Sequence, residues 1–295
     1  MANGVATLGA APVRDADAKP RSASWDAMRR LLRHRSFQTG LVLFSIILVA
    51  AICAPLITAA DPNKLAMRAR FKPPSLDFWF GTDNFGRSQL ARVVYGAQLS
   101  LMIGTAVVVI NAVFGTLLGA ISGYFRHLDN VLMRINDAIM AFPAILLAIG
   151  VAAVLGRSMP NMILALSIVY IPRTARIVRS SVIVIRQMEY VQAAVAAGAG
   201  HWRILRRHIL PNSMAPLLVQ LSFLFAYAVL TEATLSFLGL GAEPPTPTWG
   251  NIMAEGRQYM REAPWIIAIP GAALAITVMA LNLLGDGLRD ILDPR

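Results

Sequence analysis

The sequence predicts an all-α membrane protein with six transmembrane helices, and three observations support this fold class. Of the 295 residues, 56% are hydrophobic and only 15% are charged, whereas about a quarter of the residues in soluble domains are charged. Six apolar runs follow one another along the chain, and all but the fourth are about long enough to cross a ~30 Å hydrocarbon core as a helix. The basic residues are also distributed unequally between alternate connecting segments.

The six predicted spans are separated by segments that are rich in polar residues, glycine and proline. They are 41–60, 99–124, 135–155, 160–186, 216–240 and 266–285, with a short basic turn at 126–134 before the third span. We expect Pro143 to kink the third span. The fourth span is the weakest, because only ten apolar residues precede Pro172 and Arg173. We interpret it as one long helix that protrudes from the membrane, and a re-entrant segment is the alternative.

The second span carries glycines at four-residue steps near its end. Gly115, Gly119 and Gly123 follow an earlier Gly104. Small residues at this spacing let the backbone of a neighbouring helix approach closely. We therefore expect this span to pack tightly against another helix.

The charge distribution predicts the orientation of the chain. With six spans and a cytoplasmic amino terminus, 18 of the 27 Lys and Arg residues lie in cytoplasmic segments, in agreement with the positive-inside rule. If the fourth segment did not cross, the basic segment 173–212 would lie outside, which this rule disfavours. We expect both termini to be cytoplasmic. The net charge of +11 is attributed to loops that contact anionic membrane lipid, and not to nucleic acid.

The longest amphipathic segment between two apolar runs is 187–212, and it contains two helical patterns. The first, 189–197, is rich in alanine and has Val191 and Val195 four residues apart, on one face. Gly198 then interrupts the pattern, as a carboxyl-terminal helix stop does.

The second pattern of this segment, 201–210, places Trp202, Leu205 and Ile209 on one face and three arginines on another. Pro211 should end it, because proline has no N–H to donate and clashes with the preceding turn. Two interpretations remain open and are compatible with each other. The segment can lie on anionic headgroups through its arginines, or it can dock on a partner protein.

The same segment resembles the cytoplasmic coupling loop, or EAA loop, of ABC-importer permeases. That pattern is Glu-Ala-Ala, a glycine four residues after the second alanine, and a Leu-Pro about ten residues further on. Gln192 stands here where glutamate is usual. The resemblance implies an ATPase-coupling role for Glu189, Tyr190, Gln192, Ala193, Ala194, Gly198, Ala199, Leu210 and Pro211.

Four further segments resemble the C-type permease subunit of the dipeptide, oligopeptide and nickel importers. They are Phe80–Arg87, Leu235–Gly241, Pro244–Gly250 and Gly285–Pro294. An aspartate often follows the arginine of the first motif in that family, and this chain has Ser88 there. The resemblance covers about Leu41 to Arg295 and implies the fold of type I ABC-importer permeases.

The implied organisation has four parts. They are a cytoplasmic polar tail at 1–36, a first span with an external loop at 37–98, a permease core at 99–286 with its coupling loop at 187–212, and a cytoplasmic tail at 287–295. The resemblance also implies a bacterial inner-membrane location and three kinds of partner: a second homologous permease subunit, two cytoplasmic ATPase subunits, and an external substrate-binding protein. The expected substrate is a dipeptide or oligopeptide, with nickel or another small solute as the alternative.

Three polar residues fall within or beside the predicted spans. A carboxylate inside a membrane is a candidate functional group by default, and Glu232 is in this position. The structural alternative is that it meets water or a loop cation such as Arg257. We expect Asn111 to form an interhelical hydrogen bond. Asp137 costs little if it is interfacial or paired, and Arg134 is close to it in the sequence.

Several kinds of chemistry are not expected of this chain. It contains no Gly-x-x-x-x-Gly-Lys-Ser/Thr phosphate-binding loop, so ATP hydrolysis should belong to separate subunits. We predict no catalytic residue, no metal site and no cofactor. Two other classes stay open. One is an ion-coupled secondary transporter that uses Glu232 or Asp137, and the other is a membrane scaffold whose basic loops bind lipid.

Overall fold

The computed structural model describes residues 31–292, so most of the predicted tail 1–36 and the last three residues lie outside the described part. Within 31–292 the chain is almost entirely helical, and its only β-pairing is an isolated bridge between Thr82 and Ser88. The predicted all-α fold class is confirmed.

Eleven α-helices follow one another along the described residues. They are α1 (Arg35–Ile52), α2 (Ala54–Ile57), α3 (Gln89–Tyr124), α4 (Arg126–Met140), α5 (Ala144–Leu155), α6 (Met159–Arg186), α7 (Glu189–Ala196), α8 (His201–Ile204), α9 (Met214–Phe237), α10 (Trp249–Gly256) and α11 (Trp265–Leu292). A π-helix (Leu205–Ile209) and a 3₁₀ turn (Pro211–Ser213) connect α8 to α9. Two other 3₁₀ turns are Met67–Ala69 and Arg257–Tyr259.

Five helical segments within 31–292 are long and apolar enough to cross a membrane. They are α1, α3, α6, the continuous run from α8 through α9, and α11. The bent pair α4 and α5 makes a sixth if it counts as one span. This number agrees with the predicted six-span architecture, and the fourth predicted span is indeed one long helix, α6.

Several helix boundaries differ from those of the predicted spans. α1 covers Arg35–Ile52, and the predicted span 41–60 is interrupted at Cys53 before the short α2. α3 begins ten residues before the predicted span, because a helix can extend beyond its apolar part. Ser88 caps α3 by accepting a hydrogen bond from the amide of Ala91 at 3.4 Å. α11 continues to Leu292, into the predicted tail. Hydropathy marks the residues suited to lipid, whereas backbone hydrogen bonding carries a helix on through polar flanks.

The third predicted span is broken. The segment 126–134, predicted to be a turn, is the first part of α4, and α4 meets α5 at an angle of 91°. Pro143 lies at the break, as the N-cap of α5. Its ring disfavours helical geometry at the preceding residue and it donates no hydrogen bond, so the chain turns sharply there and is not merely kinked.

The glycines of α3 pack against α6, as the sequence predicted. A Cβ added at Gly119 would lie 2.5 Å from the carbonyl oxygen of Ala175, and one at Gly123 would lie 2.9 Å from that of Arg179. A Cβ added at Gly115 would lie 2.7 Å from the side chain of Thr174. The two backbones therefore approach to a distance that only glycine permits.

We expect Gly119→Ala to destabilise the chain by about 1–3 kcal/mol, because the new methyl group overpacks this contact. Thermal unfolding of the purified chain in detergent measures the effect. Gly150→Ala is the matched control, because a Cβ there meets nothing within 4 Å and alanine favours a helix. Equal shifts in Tm for the two variants would contradict the close α3–α6 packing.

A buried ionic network fixes the segment between α2 and α3 to α10. The Asp83 carboxylate accepts hydrogen bonds from Arg87 Nε at 2.5 Å and from Arg92 Nη1 at 2.9 Å. The Glu255 carboxylate of α10 accepts two from Arg92, at 2.7 and 3.0 Å, and one from Arg87. Asp83, Arg87 and Arg92 are at most 3% exposed. No role was predicted for the Phe80–Arg87 motif, and in the structure it holds α10 against α3.

Candidate functional site

The predicted coupling segment lies at the end of the helix bundle where α3 and α6 finish. Its first helical pattern is α7, and the predicted glycine stop is present. The amide of Gly198 donates to the carbonyl of Val195 at 2.9 Å, and that of Ala199 donates to the carbonyl of Ala194 at 3.0 Å. Gly198 adopts a φ of +77°. This arrangement is a Schellman motif, in which glycine supplies the left-handed residue.

α7 contacts the rest of the bundle along one narrow edge. Val191 is its only buried residue, and it belongs to an apolar cluster with Ile204 and Leu205. Val195 was predicted to share this face, but it is 50% exposed. Because one edge alone meets the bundle, most of α7 remains accessible.

The second helical pattern ends just before Pro211, as predicted, but the chain stays helical beyond the proline. The amide of Leu210 donates to the carbonyl of Leu205 at 2.9 Å, which widens the helix to a π turn. A 3₁₀ turn from Pro211 then leads directly into α9. Proline is tolerated here because it occupies the first position of the new turn. The segment is thus continuous with the span that follows it.

The predicted apolar face of this second pattern is only partly right. Leu205 and Ile209 are buried, but Trp202 is 68% exposed, and Ile204 takes the inner position instead. Met188, Tyr190 and Val195 are also exposed, by 45%, 45% and 50%. We call Met188, Tyr190, Val195 and Trp202 the coupling surface. Exposed apolar side chains on a segment at the end of the helix bundle are available to bind a partner.

The predicted coupling residues fall into two groups by exposure. Glu189, Tyr190, Gln192, Ala193, Gly198 and Pro211 are exposed, and Ala194, Ala199 and Leu210 are half-buried. Two hydrogen bonds join the segment to the ends of the long helices. Gln192 Nε2 donates to the carbonyl of Arg186 at 2.8 Å, and the hydroxyl of Tyr124 pairs with Nδ1 of His201 at 2.9 Å. A displacement of α7 would therefore be transmitted to α6.

Glu232 is fully buried inside the bundle. Its carboxylate accepts hydrogen bonds from the hydroxyls of Ser100 at 2.9 Å and Ser236 at 2.8 Å. The alternative in which Glu232 meets Arg257 is not observed, since the Arg257 guanidinium lies over the ring of Phe237, 5.8 Å from its centroid. Glu232 joins α9 to α3, because Ser100 belongs to α3.

The other two polar candidates also have different partners from those expected. Asn111 donates from Nδ2 to the carbonyl of Val107 in its own helix at 2.9 Å, so the predicted interhelical hydrogen bond is absent from the described contacts. Asp137 pairs with Arg176 at 2.6 Å, and not with Arg134. No hydrogen bond joins Glu232, Asn111 and Asp137 to one another, so they do not form a common site.

A cavity of about 650 Å³ opens beside α6, α9 and α11. Its wall includes Arg173, Gln220, Tyr227 and Arg289, and the Arg173 guanidinium lies over the ring of Tyr227, 5.4 Å from its centroid. No functional role was predicted for these four residues. The signal was the position of Arg173, a cation within an apolar helix that has no carboxylate partner within residues 31–292. Such a cation faces a bundle interior or a water-filled space.

The described part of the chain contains no metal site of ordinary composition. No group of three or more His, Cys, Asp or Glu residues within 31–292 is placed to hold an ion. The polar side chains named in the wall of the 650 Å³ cavity are those of arginine, glutamine and tyrosine. Such groups bind anions and hydrogen-bonding solutes.

The fold is that of a multi-span membrane protein, with an accessible helical segment at one end of the bundle. A family model described as the inner membrane component of binding-protein-dependent transport systems matches residues 115–295. A second, described as the N-terminal transmembrane domain of oligopeptide transport permease C, matches residues 22–74. The chain belongs to the family of binding-protein-dependent transport permeases, and its resemblance to the C-type subunits is confirmed.

Individual relatives agree along most of their length. A Brucella abortus protein, provisionally named a peptide transport system permease protein, is 57% identical over 267 residues, which is 90% of each chain. A dipeptide transport system permease protein of Alkalihalophilus pseudofirmus is 44% identical over 92% of this chain and 89% of its own. A glutathione transport system permease protein of Pectobacterium atrosepticum is 41% identical over 90% of this chain and 89% of its own.

Proposed function

We propose that this chain is one permease subunit of an ATP-driven importer and forms half of a translocation pathway for peptides. Relatives named for transport of dipeptides and of glutathione support the substrate class. The observation that carries the proposal is the coupling surface: its exposed apolar side chains lie on and beside α7, and α7 hydrogen bonds directly to the end of a membrane span.

The proposed assembly has three further components. A second homologous permease would face the cavity wall of Arg173 and Tyr227 and complete the pathway. Two ATPase subunits would bind the coupling surfaces, and an external binding protein would deliver the peptide. The end of the bundle with α7 is then cytoplasmic, both termini lie on that side, and the membrane is the bacterial inner membrane.

The proposed mechanism follows from how α7 is attached. Closure of the ATPases on ATP would shift α7, which touches the bundle through Val191 and is bonded to the end of α6 through Gln192. The helical run from His201 into α9 would carry the same displacement into the pathway wall. This chain would form part of the pathway and transmit the displacement to it, and the ATPases would hydrolyse ATP.

The proposal is tested by isolating the transporter from its native membrane in mild detergent and identifying the proteins that accompany this chain by mass. The expected set is a second permease and ATPases. The purified assembly, placed in liposomes with the binding protein, should take up a labelled dipeptide only when ATP is supplied. Uptake driven by an ion gradient without ATPases would overturn the proposal.

In that assay, we expect Glu232→Gln to retain ATP-dependent uptake within about twofold. The amide still accepts from one serine and can donate to the other, because both hydroxyls rotate freely. Ser100→Ala is the matched control for the hydrogen bonding alone. An ion-coupled carrier that moves protons through Glu232 requires a titratable group there, so loss of uptake in Glu232→Gln alone would favour that alternative class.

A further inference from the structure

A second cavity, of about 460 Å³, lies where α3, α4, α6 and α7 meet. It shares no lining residue with the cavity beside Arg173. Its wall is formed by Ser122, Gly123, Arg126, Asp129, Arg179, Ile183, Arg186, Gln187 and Gln192. Its size is within the range of small-ligand sites. The assigned role of the coupling segment does not use it.

The cavity carries an excess of positive charge. Arg179 is neutralised by Asp129 through two hydrogen bonds, of 2.5 and 2.6 Å. Neither Arg126 nor Arg186 has a carboxylate partner within residues 31–292. Arg186 uses one N–H for the carbonyl of Tyr124, at 2.9 Å, which leaves other donors of its guanidinium for a ligand.

The residue on α7 that closes the cavity adds no negative charge. Gln192 is a neutral amide, and its Nε2 is engaged with the carbonyl of Arg186. A glutamate here would place a carboxylate beside the same arginines. With glutamine, two guanidinium groups without carboxylate partners in residues 31–292 line one open, solvent-accessible cavity.

The position of the cavity indicates where an anion would come from. Tyr124 and Arg186 are the last residues of α3 and α6, which are both long enough to span the membrane. The cavity therefore lies where these two helices leave the membrane, and in the orientation of the proposed function it is on the cytoplasmic side. Paired arginines suit the bidentate geometry of phosphate, and basic pockets between spans on this side bind anionic headgroups.

We propose that this cavity binds a phosphate group, supplied either by the headgroup of an anionic phospholipid or by free phosphate. Arg126 and Arg186 would hold its oxygens. The bound group would contact α4 and α6 and lie against Gln192 of α7. An occupied cavity would thus hold the coupling helix in place on its inner side.

The test uses the purified full chain in a neutral detergent and counts bound ligands by native mass spectrometry. Phosphatidylglycerol and phosphatidylcholine with the same acyl chains are titrated separately, and inorganic phosphate is then added as a competitor. We expect saturable binding of phosphatidylglycerol that Arg126→Gln weakens about fivefold. Gln192→Glu, which leaves the arginines intact, should weaken it by a similar factor.

The matched control is Arg206→Gln. Arg206 is an exposed residue of the π-helix and lies outside this cavity. This variant should leave the saturable binding unchanged. If millimolar inorganic phosphate displaces the lipid, free phosphate is the occupant. If phosphate does not displace the lipid, the lipid headgroup is the occupant. Equal loss of binding in Arg206→Gln and Arg126→Gln would overturn the proposal, because it would mean attraction to surface charge alone. No effect of Gln192→Glu would overturn it as well.

Discussion

Gly198→Asp is expected to abolish peptide uptake by the assembled transporter while the chain still inserts into the membrane. Gly198 has a φ of +77°, a conformation that costs other residues roughly 1–2 kcal/mol. A Cβ there meets nothing within 4 Å, so the isolated chain has room for the new side chain. The loss therefore arises at the proposed ATPase interface, from a misplaced α7 terminus and from a charge beside the apolar coupling surface.

Two alanine variants separate these causes. Gly198→Ala adds backbone strain without charge and should lower uptake partially. Gly200→Ala should be neutral, because Gly200 has a φ of −65° and an equally open environment. Uptake and co-purification of the ATPases are measured together for each. Normal uptake in Gly198→Asp would remove the coupling role from this segment.

Asp83→Asn is expected to destabilise the chain by about 3–5 kcal/mol. Removing one partner of a buried ion pair leaves an uncompensated charge, and Asp83 accepts hydrogen bonds from both Arg87 and Arg92. The amide also presents N–H donors towards guanidinium donors. Thermal unfolding in detergent and the yield of monodisperse protein report the effect.

Asp77→Asn is the matched control for this substitution. Asp77 lies in the same connecting segment but is exposed, and surface substitutions of this kind change stability by about 0.5 kcal/mol or less. A similar Tm for the two variants would mean that the four charged groups do not support the fold. A large loss for Asp83→Asn alone would support a structural role for the Phe80–Arg87 motif.

The sequence predicted the features that depend on local chemistry. The glycines at 115, 119 and 123 predicted a close helix contact, and Gly198 predicted the end of α7. α6 was predicted as one helix despite Pro172, because its charge pattern required a crossing. In each case the physical requirement is local, a missing Cβ or a charge on one side of the membrane.

Features that depend on distant partners were not predictable. Arg92 and Glu255 are 163 positions apart, yet they form a two-point ion pair. Asp137 was expected near Arg134 because of proximity in sequence, whereas Arg176 on α6 is its partner. The break at Pro143 and the continuous passage through Pro211 show the same limit. A proline's effect depends on whether the chain around it is free to turn.

The weak attachment of α7 to the bundle has a consequence for the degradation of the protein in the cell. A helix of eight residues is too short to be stable in water on its own, and this one has one buried side chain. A subunit without the proposed partners is expected to open at α7 more readily than in the long helices α3 and α6. Proteolytic quality control could then distinguish orphan subunits from assembled ones at this helix, without unfolding the membrane spans.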